Sequence, residues 1–172
     1  MKKVLLVLIM IFSLNLVGCS KKNKNSKTTT TTYTDDLKDS VIMIKIDGKE
    51  IDITWENNDS VNEIKNYSKN ELTISMHQYG GFEQVGAIGK NIKSNDSKIT
   101  TSPGDVVLYS DNQIVIFFDS NTWSYTKLGH INLNKTELEE LLKKDSVILT
   151  LSIGNKADWI NRFFCLFLVY KW

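Results

Sequence analysis

A mainly β, closed antiparallel barrel carrying two short helices is the fold this sequence predicts, and three observations predict it. Between Asp39 and Ile153 about eight short runs of β-formers are separated by turn residues. Only two stretches carry helix-start chemistry, and strands and helices do not alternate as they would in a parallel α/β sheet. Many short strands with few helices leave exposed edges unless the sheet closes on itself.

The elements follow in order. Val41–Ile46 is a strand, Asp47-Gly48 a two-residue hairpin turn, and Glu50–Trp55 the returning strand. Asp59 or Ser60 caps a helix over 60–67, with Ser60 and Glu63 at capping-box spacing and Val61, Ile64 and Tyr67 on one face. Leu72–Met76 resumes strand. The Gly-rich run Tyr79–Gly89 suits bends and close backbone approach, not a phosphate cradle. Asn91–Ser102 is a polar loop pinned by Ile92 and Ile99. Ser102-Pro103-Gly104-Asp105 turns into a strand over 106–109, with Asp105 as a turn-stabilising side chain. Ile114–Phe118 is almost purely apolar and therefore belongs at the centre, buried on both faces. Asp119–Thr122 turns it back, and Trp123, Tyr125 and Lys127 alternate with Ser124, Thr126 and Leu128 as the returning strand of a hairpin. Asn134 and Glu137 open a second helix over 135–143, and Ser146–Leu151 is the last strand.

The ends have a different character. Lys2 and Lys3, the apolar run Val4–Phe12 and Leu16-Val17-Gly18-Cys19 read as a leader. The order leucine, aliphatic, small residue, cysteine resembles the lipobox of bacterial lipoproteins. That resemblance implies cleavage after residue 18, lipid on the Cys19 thiol, and attachment to the outer face of a cytoplasmic membrane, since two or three acyl chains anchor stably. An uncleaved anchor or plain secretory signal is the less favoured alternative, because the apolar run is short for a span. Residues 19–38, rich in Lys, Asn and Thr, form a disordered tether. Residues 154–172 hold the only arginine, Arg162, and the only other cysteine, Cys165, with an unbroken apolar run Phe163–Tyr170. They fit either a terminal element packed on the domain or membrane, or a shifted reading frame; the abrupt change of composition favours the second.

Several function classes are excluded. Net charge is +1, or −1 once Lys2 and Lys3 leave with the leader, and no basic patch with interleaved aromatics points to nucleic acid. One cysteine beyond Cys19 gives no internal disulfide framework. His77 and His130 stand in no metal-ligand spacing, so no metal and no cofactor are expected. His77 near Gln78 and Glu83 can be written as an acid/base pair, but a surface histidine at a strand end is the plainer reading.

Three blocks in order, YGGFEQVGAIG (79–89), SNDSKITTSPGDVVLY (94–109) and NQIVIFFDSNTWSYTKLGHI (112–131), closely resemble the bacterial cyclophilin-like fold proteins over residues 41–153. The resemblance implies a closed eight-stranded cyclophilin-like antiparallel barrel, related in shape to the prolyl isomerases, and carries no established activity. True cyclophilins use an arginine aimed at the prolyl nitrogen. None stands between Asp39 and Ile153, and Lys127 occupies a position where the family usually has one. A non-enzymatic module binding an unknown peptide or small ligand is therefore expected, with an isomerase using non-standard groups as the alternative. Met76, His77, Tyr79, Phe82, Gln84, Phe117, Trp123 and Tyr125 are expected to supply the cleft, and a monomer is expected.

The lipid anchor is directly testable. Cys19→Ala is expected to release the protein from the membrane fraction or leave the leader uncleaved. Unchanged partitioning into the detergent phase would remove the lipoprotein reading.

Overall fold

The computed structural model describes residues 40–155. The leader, Cys19, the tether and the tail beyond Asn155 lie outside the described residues.

Chain order is β1 (Ser40–Ile46), β2 (Lys49–Ile51), β3 (Ile53–Trp55), α1 (Asp59–Tyr67), β4 (Leu72–Tyr79), β5 (Glu83–Ala87) and β6 (Ser97–Thr100). There follow β7 (Asp105–Tyr109), β8 (Gln113–Phe117), β9 (Thr122–Ile131), α2 (Lys135–Leu142) and β10 (Ser146–Asn155). One sheet runs β2-β1-β10-β4-β5-β8-β7-β9-β3, every pairing antiparallel, and β6 is added alongside β9. The two ends of that path are consecutive stretches of chain divided only by Asp52. The sheet thus curls into a nearly closed barrel, and taking β2–β3 as one broken stave gives the eight staves that the sequence predicts. The Trp55 indole N–H donates to the Ile42 carbonyl at 3.0 Å, tying β3 to β1 across the seam.

Alternation decides what fills the barrel. Ile42, Ile44 and Ile46 point inward from β1, Ile74 and Met76 from β4, and Val147, Leu149 and Leu151 from β10. The helices add Val61, Ile64, Leu138 and Leu142 to the same core. Each fully buried side chain of this kind is worth roughly 1.5–3 kcal/mol. Gly86 is fitted to its place on β5: a Cβ there would lie 2.5 Å from Ile74 Cγ2 and 2.8 Å from Met76 Cγ.

Four details depart from the sequence reading. The cap of α1 is Asn58, whose side chain accepts from the Val61 amide; Asp59 and Ser60 stand inside the first turn, and the Ser60 hydroxyl turns to the Lys93 carbonyl. β8 and β9 form no hairpin, because β7 lies between them and pairs with both. The 91–102 loop contains a strand, β6, whose Ile99 sits opposite Trp123. The last strand runs on to Asn155, which pairs with Ser40. The expected box at Asn134 and Glu137 is present in both directions.

A register shift between Val106 and Val107 bulges β9. It lets Leu128 and Ile131, three positions apart, both enter the core. Gln84 is fully buried on the inward face of β5, and its amide donates to the carbonyls of Leu142 and Lys144, both at 2.7 Å. It closes the C-terminal end of α2, where carbonyls have no partner within the helix.

Gln84→Leu is expected to lower the unfolding free energy by about 1–3 kcal/mol, with amide exchange speeding up in α2 before the barrel strands. Denaturant melts and hydrogen exchange measure both; unchanged values would show that those carbonyls do not need the glutamine.

Candidate functional site

β7 and β8 are covered on both faces, and β5 on part of its outer one. Their inward residues fill the barrel, and Val107, Val115 and Phe117 face outward into a second, smaller core with Tyr125 of β9. Phe82, Val85, Ile99 and Tyr109 pack against it without being fully buried. This outer core is aromatic: Phe82 stacks parallel to Phe117 at 6.4 Å, and Tyr125 meets Phe117 at 5.6 Å and Tyr109 at 5.8 Å, both edge-on.

The cover is incomplete, and the gap is a cleft of about 470 Å³ on the outside of the barrel. Tyr79 at the end of β4 and Phe82 beyond the Gly80-Gly81 turn form one wall, and Trp123 and Tyr125 of β9 another. Tyr109, Val85, Val115 and Gln113 complete the lining together with Asn121 and Glu83. Asn121 donates to the Tyr125 hydroxyl at 3.0 Å and orients it. Trp123 is 59% exposed and Tyr79 69%, so two large aromatic side chains stand open to a ligand on this face.

Two side-chain oxygens of the described residues are buried without a hydrogen-bond partner, Gln84 Oε1 and Glu83 Oε2, and Glu83 is the one at the cleft. It is only 6% exposed, and among the described residues its buried Oε2 has no hydrogen-bond partner and the cleft lining holds no Lys, Arg or His. Burial pushes its carboxyl up to about 7. The Tyr125 hydroxyl is raised as well, first by burial and then by the Glu83 charge.

The structure brings Tyr79, Phe82, Trp123 and Tyr125 together at this cleft, with Phe117 buried beneath them. It places the other expected residues elsewhere. Met76 and Gln84 face the main core, one in the apolar cluster and the other closing α2. His77 is exposed on β4 opposite Val85 and does not line the cleft. Sequence reasoning missed Glu83 as a cleft residue, along with Tyr109 and Asn121. The signal was parity: Glu83 shares a strand face with Val85 and, across the Gly-Gly turn, pairs with Tyr79.

A second polar group lies near the β9 bulge. Asp105 accepts from the Ser102 amide at 2.9 Å and His130 Nδ1 lies 2.8 Å away, with Lys127 Nζ at 3.1 Å. Burial raises the Asp105 carboxyl, but His130, the Ser102 amide and Lys127 outweigh it and hold the group below the usual range. Lys127 also borders a polar depression with Asn58, Asp59 and Lys93, where Lys93 and Asp59 form an ion pair. Among the described residues no group of three or more His, Cys, Asp or Glu is placed to hold a metal ion.

The model of the cyclophilin-like family matches residues 44–152, well over half of the chain and almost the whole described barrel. The chain belongs to the cyclophilin-like family. Comparison with curated proteins and with solved structures returns no match. Within this cyclophilin-like domain the aromatic cleft lies on the outer face of the barrel, and Lys127, where the resemblance leads to an expectation of arginine, is engaged with Asp105.

The Glu83 titration sets a stability prediction. Below about pH 4.5 the carboxyl is protonated in both folded and unfolded chains. Between there and 7 the folded chain binds more protons, so the unfolding free energy falls as pH rises. A shift of this size corresponds to about 3 kcal/mol by pH 8. Glu83→Gln is expected to match the wild type near pH 4.5 and exceed its stability by roughly 2–3 kcal/mol at pH 8. Parallel urea melts at the two pH values check it; curves that move together would show that Glu83 does not titrate in this window.

Proposed function

We propose that this chain is a membrane-anchored, extracytoplasmic binding module whose cyclophilin-like barrel takes an extended peptide or a small ligand in the Tyr79/Phe82/Trp123/Tyr125 cleft. The observation that carries this reading is the cleft's make-up: an apolar aromatic floor, two exposed aromatic side chains and a few polar groups. Such a surface suffices for binding and orientation. The anchor rests on Leu16–Cys19, and the tether gives the barrel reach from the membrane.

Isomerisation by the cyclophilin route asks for a fixed cationic donor where charge develops on the prolyl amide. Among the described residues the cleft lining supplies an acid, three phenols, two amides and no cation. Lys127 is held on Asp105, outside that lining, and lysine lacks the planar fork of arginine. Binding without turnover is the function that this chemistry supports.

A thermal-shift screen of the full chain against peptides and metabolites is expected to give stabilising ligands, by about 2.7 kcal/mol at a hundredfold excess over Kd, with the shift lost in Trp123→Ala. In a protease-coupled prolyl-peptide assay the same chain is expected to give a flat trace. Acceleration by catalytic amounts, lost on changing Glu83 or Tyr125, would replace this reading with the isomerase one.

A further inference from the structure

We propose that the ligand of this cleft is a cation, an ammonium or guanidinium group on a short apolar stem, received by the Glu83 carboxylate between the rings of Tyr79, Phe82, Trp123 and Tyr125. The inference rests on the reading of the cleft as a binding site and names what the site selects.

Two independent features of the cleft converge on that chemistry. One is the acid. Glu83 is more than nine-tenths buried, lines the cleft, and keeps a carboxylate oxygen with no hydrogen-bond partner among the described residues. A buried carboxylate with an empty lone pair is costly unless something neutralises it or donates to it. Among the described residues no basic side chain lines the cleft to do so. The other is the aromatic wall. Ring faces carry negative charge density and attract cations, most strongly where water is excluded, and cages of aromatic rings are a general solution for ammonium groups. An anionic ligand would meet the Glu83 charge and the ring faces alike with repulsion. A neutral apolar ligand would leave the Glu83 oxygen as it is.

Proton linkage gives the proposal a second, independent readout. The titratable groups lining the cleft with Glu83 are the phenols of Tyr79 from β4, Tyr109 from β7 and Tyr125 from β9; β8 contributes Gln113, Val115 and, beneath, Phe117. Burial and the Glu83 charge raise the Tyr125 hydroxyl above its ordinary value. Glu83 changes charge at about 7. A cation binds only its ionised form, so apparent affinity should rise about tenfold between pH 6 and pH 8, following the ionised fraction.

The test titrates the full chain in non-ionic detergent, following the indole N–H resonance of Trp123. The probes are acetylated, amidated Phe-Lys, Phe-norleucine and Phe-Glu dipeptides, with phenethylammonium as a free amine. The wild type should bind Phe-Lys or phenethylammonium at least tenfold more tightly than Phe-norleucine, and Phe-Glu most weakly. Glu83→Gln should reduce the charge preference to less than threefold and flatten the pH profile. Preference for the dipeptide over the free amine assigns a peptide source, and the reverse a small amine. Phe-norleucine binding as tightly as Phe-Lys, or more tightly as pH falls, would overturn the cation and make Glu83 a neutral donor to a carbonyl, leaving the cleft as a binding site. A charge preference that survives in Glu83→Gln would also overturn it. Trp123 unmoved by every probe would sink both the cation and the cleft.

Discussion

The strand Gln113–Phe117, with Phe118 following it, has no polar face to give to water. Ile114, Ile116 and Phe118 enter the barrel, while Val115 and Phe117 point the other way, and all five are essentially inaccessible. A barrel has one inside, so the outward half of this strand must be covered by something that is not the barrel. The chain meets that demand with aromatic side chains from its neighbours and from the turn after β4, and with β6 laid against β9. The cleft is the place where that cover stops. Its position therefore follows from a packing requirement of β8, and its aromatic character follows from the large flat groups used to meet that requirement from the side.

The same requirement separates what local sequence discloses from what it hides. Turn and cap chemistry is local: Asp47-Gly48 turns β1 into β2, and Asn134 with Glu137 opens α2, as their spacing predicts. The apolar run 114–118 discloses its double burial by composition alone. Which strands flank it is not local. β8 and β9 adjoin in sequence and carry hairpin-like turn residues between them, yet β7 separates them. The connecting loop is held by distant groups: the amides of Phe118 and Asp119 both donate to the Phe82 carbonyl, and Thr101 and Asn121 bind one another. None of those contacts can be read from residues 112–131 themselves.

The cleft was half legible for a related reason. Aromatic residues near the Gly-rich turn and on β9 were visible as such, but membership of one face follows strand parity. Met76 and Tyr79 are an odd number of positions apart on β4 and cannot share a face; neither can Glu83 and Gln84. The main core claims Met76 and Gln84, and the cleft claims Tyr79 and Glu83. A glutamine with two amide donors suits the carbonyls at the end of α2, while the acid beside it, once ionised, has only acceptors and an aromatic wall to face.

Two carboxylates in this domain are buried to nearly the same degree, Asp105 at 5% exposure and Glu83 at 6%, yet they shift in opposite directions. Burial cannot be what distinguishes them. Asp105 sits after a Pro-Gly turn whose own amide reaches back to it, and the β9 bulge delivers His130 and Lys127 to its other oxygen. Its demand for partners is met by the fold, and its role ends there, as a brace between a turn and two strands. Glu83 lies on a regular strand, where backbone amides are committed to the ladder with β4 and β8, and its neighbours on that face are rings and aliphatic groups. Among the described residues no donor is placed to satisfy its buried oxygen. A carboxylate that only braced the fold would be stabilising if met by donors or replaced by an apolar group. Among the described residues nothing offsets the cost of burying Glu83 beside the cleft, and it is this unmet demand that the proposed cation would answer.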